Sequence, residues 1–180
     1  MVPNNTENDE HDNKNIWVDI LEDLPSVQEC YEFGAADPSC GAVASFVGIT
    51  RNTFHSKTVV SLSYEAYNSM ARKELRHLCQ EVRRKWPDVQ RIVAVHKVGQ
   101  CPVGQASVIL VCASPHRGDS LQAVQYLIDE LKARVPIWKL ERYVDSTEVW
   151  KENMEWHKGK AQRVMRPIPN SQDTVLPESS

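Results

Sequence analysis

Between residues 59 and 144 the spacing of apolar residues alternates between the two-residue period of a strand and the roughly 3.6-residue period of a helix, in the order β-α-β-β-α-β. No other feature constrains the chain as strongly, because each element with one apolar face must bury it against another. VVSLSYEAY (59–67) has the strand period. From Asn68 to Trp86 the apolar residues Ala71, Leu75, Leu78, Cys79, Val82 and Trp86 fall three or four apart, which predicts an amphipathic helix. RIVAVHKV (91–98) and ASVILVCAS (106–114) are strands joined by GQCPVG, whose glycines and proline suit the turn of a hairpin. A second helix runs from Asp119 to Arg134 on a stripe of Leu121, Val124, Leu127, Ile128, Leu131 and Val135, and Pro136 ends it. WKLERYV (138–144) is the last strand.

The fold class is therefore α+β, with helices against a mixed sheet. Ahead of this unit, IWVDIL (16–21) is a strand, SVQECYEF (26–33) a short helix and GAVASFVGI (41–49) an apolar strand, and the leading strands are free to form a small separate sheet. TRNTFHSK (50–57) is a polar loop carrying Arg51, His55 and Lys57. Residues 1–14 are polar and acidic without apolar periodicity and are expected to be disordered. Residues 15–160 form one domain, and 161–180 a flexible proline-rich tail.

Several function classes lose their support. A net charge of −3 gives no general affinity for nucleic acid, so any anion site has to be local. No apolar run approaches the roughly 18 residues of a membrane span. The five cysteines form no C-x-x-C pair, which fits reduced thiols in the cytosol better than a zinc site or disulfide framework. Motifs of nucleotide hydrolysis, dinucleotide redox, zinc proteolysis and serine hydrolysis are missing. Cys79 and Cys112 sit in apolar elements as inert thiols do, and Cys101 has no histidine beside it in sequence.

What remains is a set of cations. His116 and Arg117 stand between a buried strand and a helix, where free backbone N–H groups favour a phosphate or carboxylate; the alternative is that Asp119 or Ser120 caps the helix and Arg117 faces solvent. Lys132 lies at the border of the apolar stripe, where a lone lysine more often lays its stem over the core. Lys139 follows the Pro136 turn on a strand whose parity puts it beside Glu141 and opposite Trp138 and Leu140. Helix end and strand start are adjacent in the chain, so the two ammonium groups can converge on one anion. The competing reading is a Lys139–Glu141 surface pair of little energetic consequence. Arg51 closes an apolar strand at what would be a pocket rim. Tyr64, Glu65 and Tyr67 are expected to pack and pair rather than react.

Taken in order, GAVASFVGITRN, LSYEAY, VHKVGQCPVG, SPHRGDS, DELKARVPIWKLE and Trp150 resemble the large-subunit family of molybdopterin synthase, from about Gly41 to Glu152. The resemblance implies an α/β-hammerhead type fold with a small additional antiparallel β subdomain. It implies a central homodimer flanked by two small ubiquitin-like subunits, each inserting a Gly-Gly C-terminus that carries a thiocarboxylate. The activity implied is conversion of cyclic pyranopterin monophosphate into molybdopterin, in molybdenum cofactor biosynthesis in the cytosol. The sulfur comes from the small subunit, with no cofactor or metal on the large one. Carried over by motif, Lys132 and Lys139 match the catalytic lysines, while Arg51, His116, Arg117, Leu140 and Glu141 match substrate-binding positions. Many relatives have a basic residue where Leu140 stands. From other classes, the β-α-β-β-α-β order also suits a non-catalytic ligand- or RNA-binding module, although 91–98 and 106–114 lack the aromatics that stack bases, and a pure assembly scaffold leaves the paired lysines unexplained.

Overall fold

The computed structural model describes residues 14–54, 57–144 and 147–152. His55, nearly all of the polar 1–14 segment and the 161–180 tail lie outside the described residues. Among the described residues nine strands and three helices follow one another: β1 (Ile16–Leu21), α1 (Val27–Ala35), β2 (Ala42–Ile49), β3 (Thr53–Phe54), β4 (Lys57–Ala66), α2 (Asn68–Lys85), β5 (Arg91–Lys97), β6 (Gly99–Pro102), β7 (Ala106–Ser114), α3 (Arg117–Arg134), β8 (Ile137–Tyr143) and β9 (Glu148–Glu152).

They form two sheets. The first has the order β1-β5-β7-β2, with β1 parallel to β5 and the other pairs antiparallel, so it is mixed as expected. β5 and β7 read as almost unbroken apolar runs because both faces of this sheet are covered. Ile92, Ala94, Leu110 and Cys112 point to the main core with Leu75, Leu78 and Val82 of α2 and Leu127 and Leu131 of α3. The alternate residues Val93, Val95, Ile109 and Val111 pack on the other side against Cys30 of α1, with Trp17 and Phe33 at the margin. α1 starts with a capping box, Ser26 accepting from the Glu29 N–H while the Glu29 carboxylate accepts from the Ser26 N–H.

The second sheet is antiparallel, with the order β3-β4-β8-β9 and β6 on the other side of β4. Here the structure corrects several expectations. The leading strands β1 and β2 do not form a separate sheet; they occupy the edges of the first one. β4 and β8 leave the β-α-β-β-α-β unit to pair with each other, because their alternating polar residues suit a sheet with one wet face. GQCPVG is not merely a turn: Gly99–Pro102 pairs with Ser61–Tyr64, and glycines at φ +78° (Gly99) and +85° (Gly104) make the bends at its ends. The 50–57 loop contains β3, and a further strand, β9, follows the last expected one. α3 begins at Arg117, two residues ahead of the expected start. His116 is its N-cap without a side-chain capping bond, and the Ser120 hydroxyl donates to the Arg117 carbonyl, so neither Asp119 nor Ser120 is the N-cap.

Candidate functional site

Where the C-terminal part of α3 meets both sheets there is a cavity of about 260 Å³. Arg51, Phe54, Tyr64, Lys132, Lys139 and Glu141 are among its lining residues. Each comes from a different local rule. Lys132 lies on the last turns of α3, partly buried at the border of the apolar stripe. Pro136 breaks the helix, and the chain re-enters as β8, whose parity turns Lys139 and Glu141 into the cavity. Arg51 follows the end of β2, and Phe54 comes from β3. Thus three cationic side chains and one carboxylate face one small space in a chain whose net charge is negative.

The carboxylate is the most deeply buried of these charges: Glu141 is 2% exposed. Its Oε1 lies 3.3 Å from Lys139 Nζ, and its Oε2 accepts a hydrogen bond from the Tyr143 hydroxyl. Lys139 Nζ also stands 5.8 Å from the centre of the Phe54 ring. The surface pair weighed from sequence is therefore an inward-facing one.

Across β4 and β8, Tyr64 is paired with Lys139 and Leu62 with Glu141, so all four side chains project on the same side of the sheet. Tyr64 is buried, and burial first, then nearby Cys101 and Glu141, push its phenol above the usual tyrosine range against the lowering effect of a Ser107 hydrogen bond. At neutral pH it is a neutral hydroxyl. Its ring meets His96 edge to face, centroids 5.1 Å apart. Burial pushes His96 down to about 4, and Nδ1 lies 2.8 Å from the Lys97 carbonyl, which can only accept, so the imidazole is neutral with its proton on that nitrogen. Neutral groups thus underlie the cations on this side.

The sequence-derived candidates divide. Arg51, Lys132, Lys139 and Glu141 share the cavity. Leu140 does not line it: strand parity turns it to the opposite face of β8, where it is buried. His116 and Arg117 are exposed at the far end of α3, about 22 Å from Lys132 along the helix at 1.5 Å per residue, and do not reach this cavity within one chain. Phe54, Tyr64 and Tyr143 join Lys139 and Glu141: the β4–β8 pairing that sets Tyr64 beside Lys139 is long-range and is not carried by its own spacing, whereas Tyr143 stands two residues from Glu141 on one face of β8, a parity signal that could have found it. Among the described residues no group of three or more His, Cys, Asp or Glu side chains is arranged to hold a metal ion. No helix among them is long and apolar enough to cross a membrane.

The family model described as MoaE protein matches residues 20–134, a segment that includes Arg51, His116, Arg117 and Lys132 and stops before Lys139. The chain is 48% identical over 139 residues to the molybdopterin synthase catalytic subunit of Taeniopygia guttata, covering 77% of this chain and 88% of that one. Its fold is similar to the crystal structure of molybdopterin synthase from Staphylococcus aureus, with a TM-score of 0.70, 32% identity, and coverage of 74% of this chain and 95% of the other. It is also similar in fold to a chain from the complex of subunits 1 and 2 of the molybdopterin-converting factor of Helicobacter pylori, at TM-score 0.61 and 22% identity, covering 74% and 88% respectively. The chain belongs to the MoaE family, the catalytic subunits of molybdopterin synthase.

Proposed function

We propose that this subunit converts cyclic pyranopterin monophosphate into molybdopterin, with both dithiolene sulfurs delivered by the C-terminal thiocarboxylate of a small ubiquitin-like partner. The observation that carries the reading is the convergence of Lys132, Lys139 and Arg51 on one cavity. Opening the cyclic phosphate leaves a more highly charged monoester. Each sulfur transfer makes a C–S bond on the pterin side chain in place of a C–O bond, at one carbon the ester bond that opens the cyclic phosphate and at the other an oxygen that leaves as water, and it replaces the carrier's acyl C–S bond with a C–O bond from water. Negative charge is created and moved throughout, and fixed cations in a confined site stabilise it as it develops.

In this account Lys132 is the main catalytic group, orienting the thiocarboxylate and relaying protons, and Lys139 supports charge and substrate placement. Arg51, permanently charged and forked, suits the phosphate. The protein supplies no sulfur, metal or cofactor of its own. His116 and Arg117 keep a substrate-binding role only as contributions to the cavity of a second protomer, which the proposed central homodimer permits. The assembly is a heterotetramer of two such subunits and two small ones, working in the cytosol.

Incubating the purified chain with thiocarboxylated small subunit and cyclic pyranopterin monophosphate tests this. Mass analysis is expected to find a pterin that has gained two sulfurs. Unchanged precursor, with the small subunit bound and still thiocarboxylated, would overturn the reading.

A further inference from the structure

We propose that Tyr143 is a positioning residue of the cavity, which acts through the buried carboxylate of Glu141 to hold the Lys139 ammonium where it meets the bound anion. The identity of the anion rests on the function proposed above; the relay itself rests on geometry.

Lys139, Glu141 and Tyr143 are alternate residues of β8, so their side chains leave the strand on one face. A carboxylate that is 2% exposed is costly to bury unless its oxygens are engaged. Here Oε1 faces Lys139 Nζ at 3.3 Å, and Oε2 takes the Tyr143 hydroxyl proton in a hydrogen bond. The phenol is held in turn: Tyr143 is itself buried, and Lys57 Nζ lies 5.2 Å from its ring centre. Tyr143 therefore fixes Glu141, and Glu141 fixes Lys139.

A carboxylate lining a pocket for a phosphorylated ligand has an unfavourable direct contact to offer, because like charges repel. Its favourable partner is the lysine. A lysine side chain has a flexible four-carbon stem, and an anchored counter-charge removes that freedom before the ligand arrives. Glu141 is thereby assigned to Lys139 rather than to direct substrate contact, and Tyr143 enters the site although it does not touch the ligand.

The test compares wild type with Tyr143→Phe, Glu141→Gln and the double variant. In the dithiolene assay, Tyr143→Phe is expected to lower kcat about tenfold, the scale of a lost hydrogen bond to a charged group, with KM within about twofold. The double variant should be no slower than Glu141→Gln alone, since both substitutions break one relay. A purely structural role for Tyr143 would instead lower the thermal midpoint and multiply the two losses. A Tyr143→Phe kcat equal to wild type, or multiplied losses in the double variant, would overturn the proposal.

A second readout does not need catalysis. Under limiting acetic anhydride, peptide mass analysis should show Lys139 acetylated faster in both single variants than in wild type, with Lys132 unchanged. Equal Lys139 labelling in all proteins would overturn the relay even if the chain made no molybdopterin, whereas faster labelling in an inactive chain would leave the relay standing and sink only the proposed reaction. Should Tyr143→Phe not fold, the near-isosteric Glu141→Gln decides by the same labelling.

Discussion

Tyr64 on β4 and Lys139 on β8 are direct partners in an antiparallel register, so a neutral phenol and an ammonium emerge side by side into one cavity. The phenol borders the cationic wall without adding charge to it. Tyr64→Phe removes the hydroxyl but keeps the ring against His96. Urea unfolding should show a loss of about 1 kcal/mol, the net contribution of one hydrogen bond. Precursor binding should weaken about threefold, the small effect of one neutral contact in a site dominated by charge.

His96 makes stability pH-dependent. Its folded-state pKa is depressed to about 4, so unfolding takes up a proton at any pH between that value and the reference of 6.5. The contribution is fully present above pH 6.5, falls as pH drops through the window, and levels off below about 4; its full size is on the order of 3 kcal/mol. Unfolding free energy should decline by about 2 kcal/mol between pH 7 and pH 5 on account of this residue. His96→Asn, less stable at pH 7, should show a flatter slope; an unchanged slope would remove His96 as the cause.

How far the site could be read from sequence depends on the range of the interaction that builds each part. Lys132 was legible because helix periodicity places it at the stripe border, and Lys139 with Glu141 because strand parity is equally local. Both survive in the structure as cavity residues. Sheet membership is not local: β4 and β8 have the period of strands, but nothing in their spacing says that β1 and β2 will take the places beside β5 and β7. Tyr64 comes beside Lys139 only through that pairing, whereas Tyr143 shares the parity of Glu141 and was within reach of the same local argument. Strand parity alone sets Leu140 on the face opposite Lys139 and Glu141, and only the motif resemblance groups it with the site. His116 and Arg117 show the opposite limit, since a helix start suits an anion whether or not the rest of a pocket stands beside it.

The cysteines should be dispensable for chemistry. Cys30, Cys79, Cys101 and Cys112 are buried. Burial, followed by the nearby Glu29, raises the Cys30 thiol to about 11; burial, followed by Cys79, raises Cys112 well above its ordinary value. Cys40, the partly accessible one, is also raised, first by burial and then by Asp37. Iodoacetamide on the folded protein at pH 7.5 should modify Cys40 slowly at most and leave dithiolene formation intact. Loss of activity in proportion to alkylation would contradict this.

Gly48 lets β2 pass close to its neighbours beside the cavity. A Cβ there would stand 2.6 Å from Val108 Cγ1 and 3.3 Å from the Phe46 ring. Val108 is buried and has little room to yield. Gly48→Ala should therefore cost roughly 1–3 kcal/mol of stability by overpacking, measured by chemical denaturation. A stability within a few tenths of wild type would show that Val108 and Phe46 repack freely.

The central claim is that Lys132 and Lys139 act together on one bound anion, and the most direct measurement is the single-turnover rate of dithiolene formation in Lys132→Ala and Lys139→Ala at saturating thiocarboxylated partner. With small-subunit affinity retained, Lys132→Ala should fall about 100-fold or more, and Lys139→Ala should also lose rate, the scale of removing a preorganised charge from a developing anion. Rates equal to wild type in either variant would contradict the account.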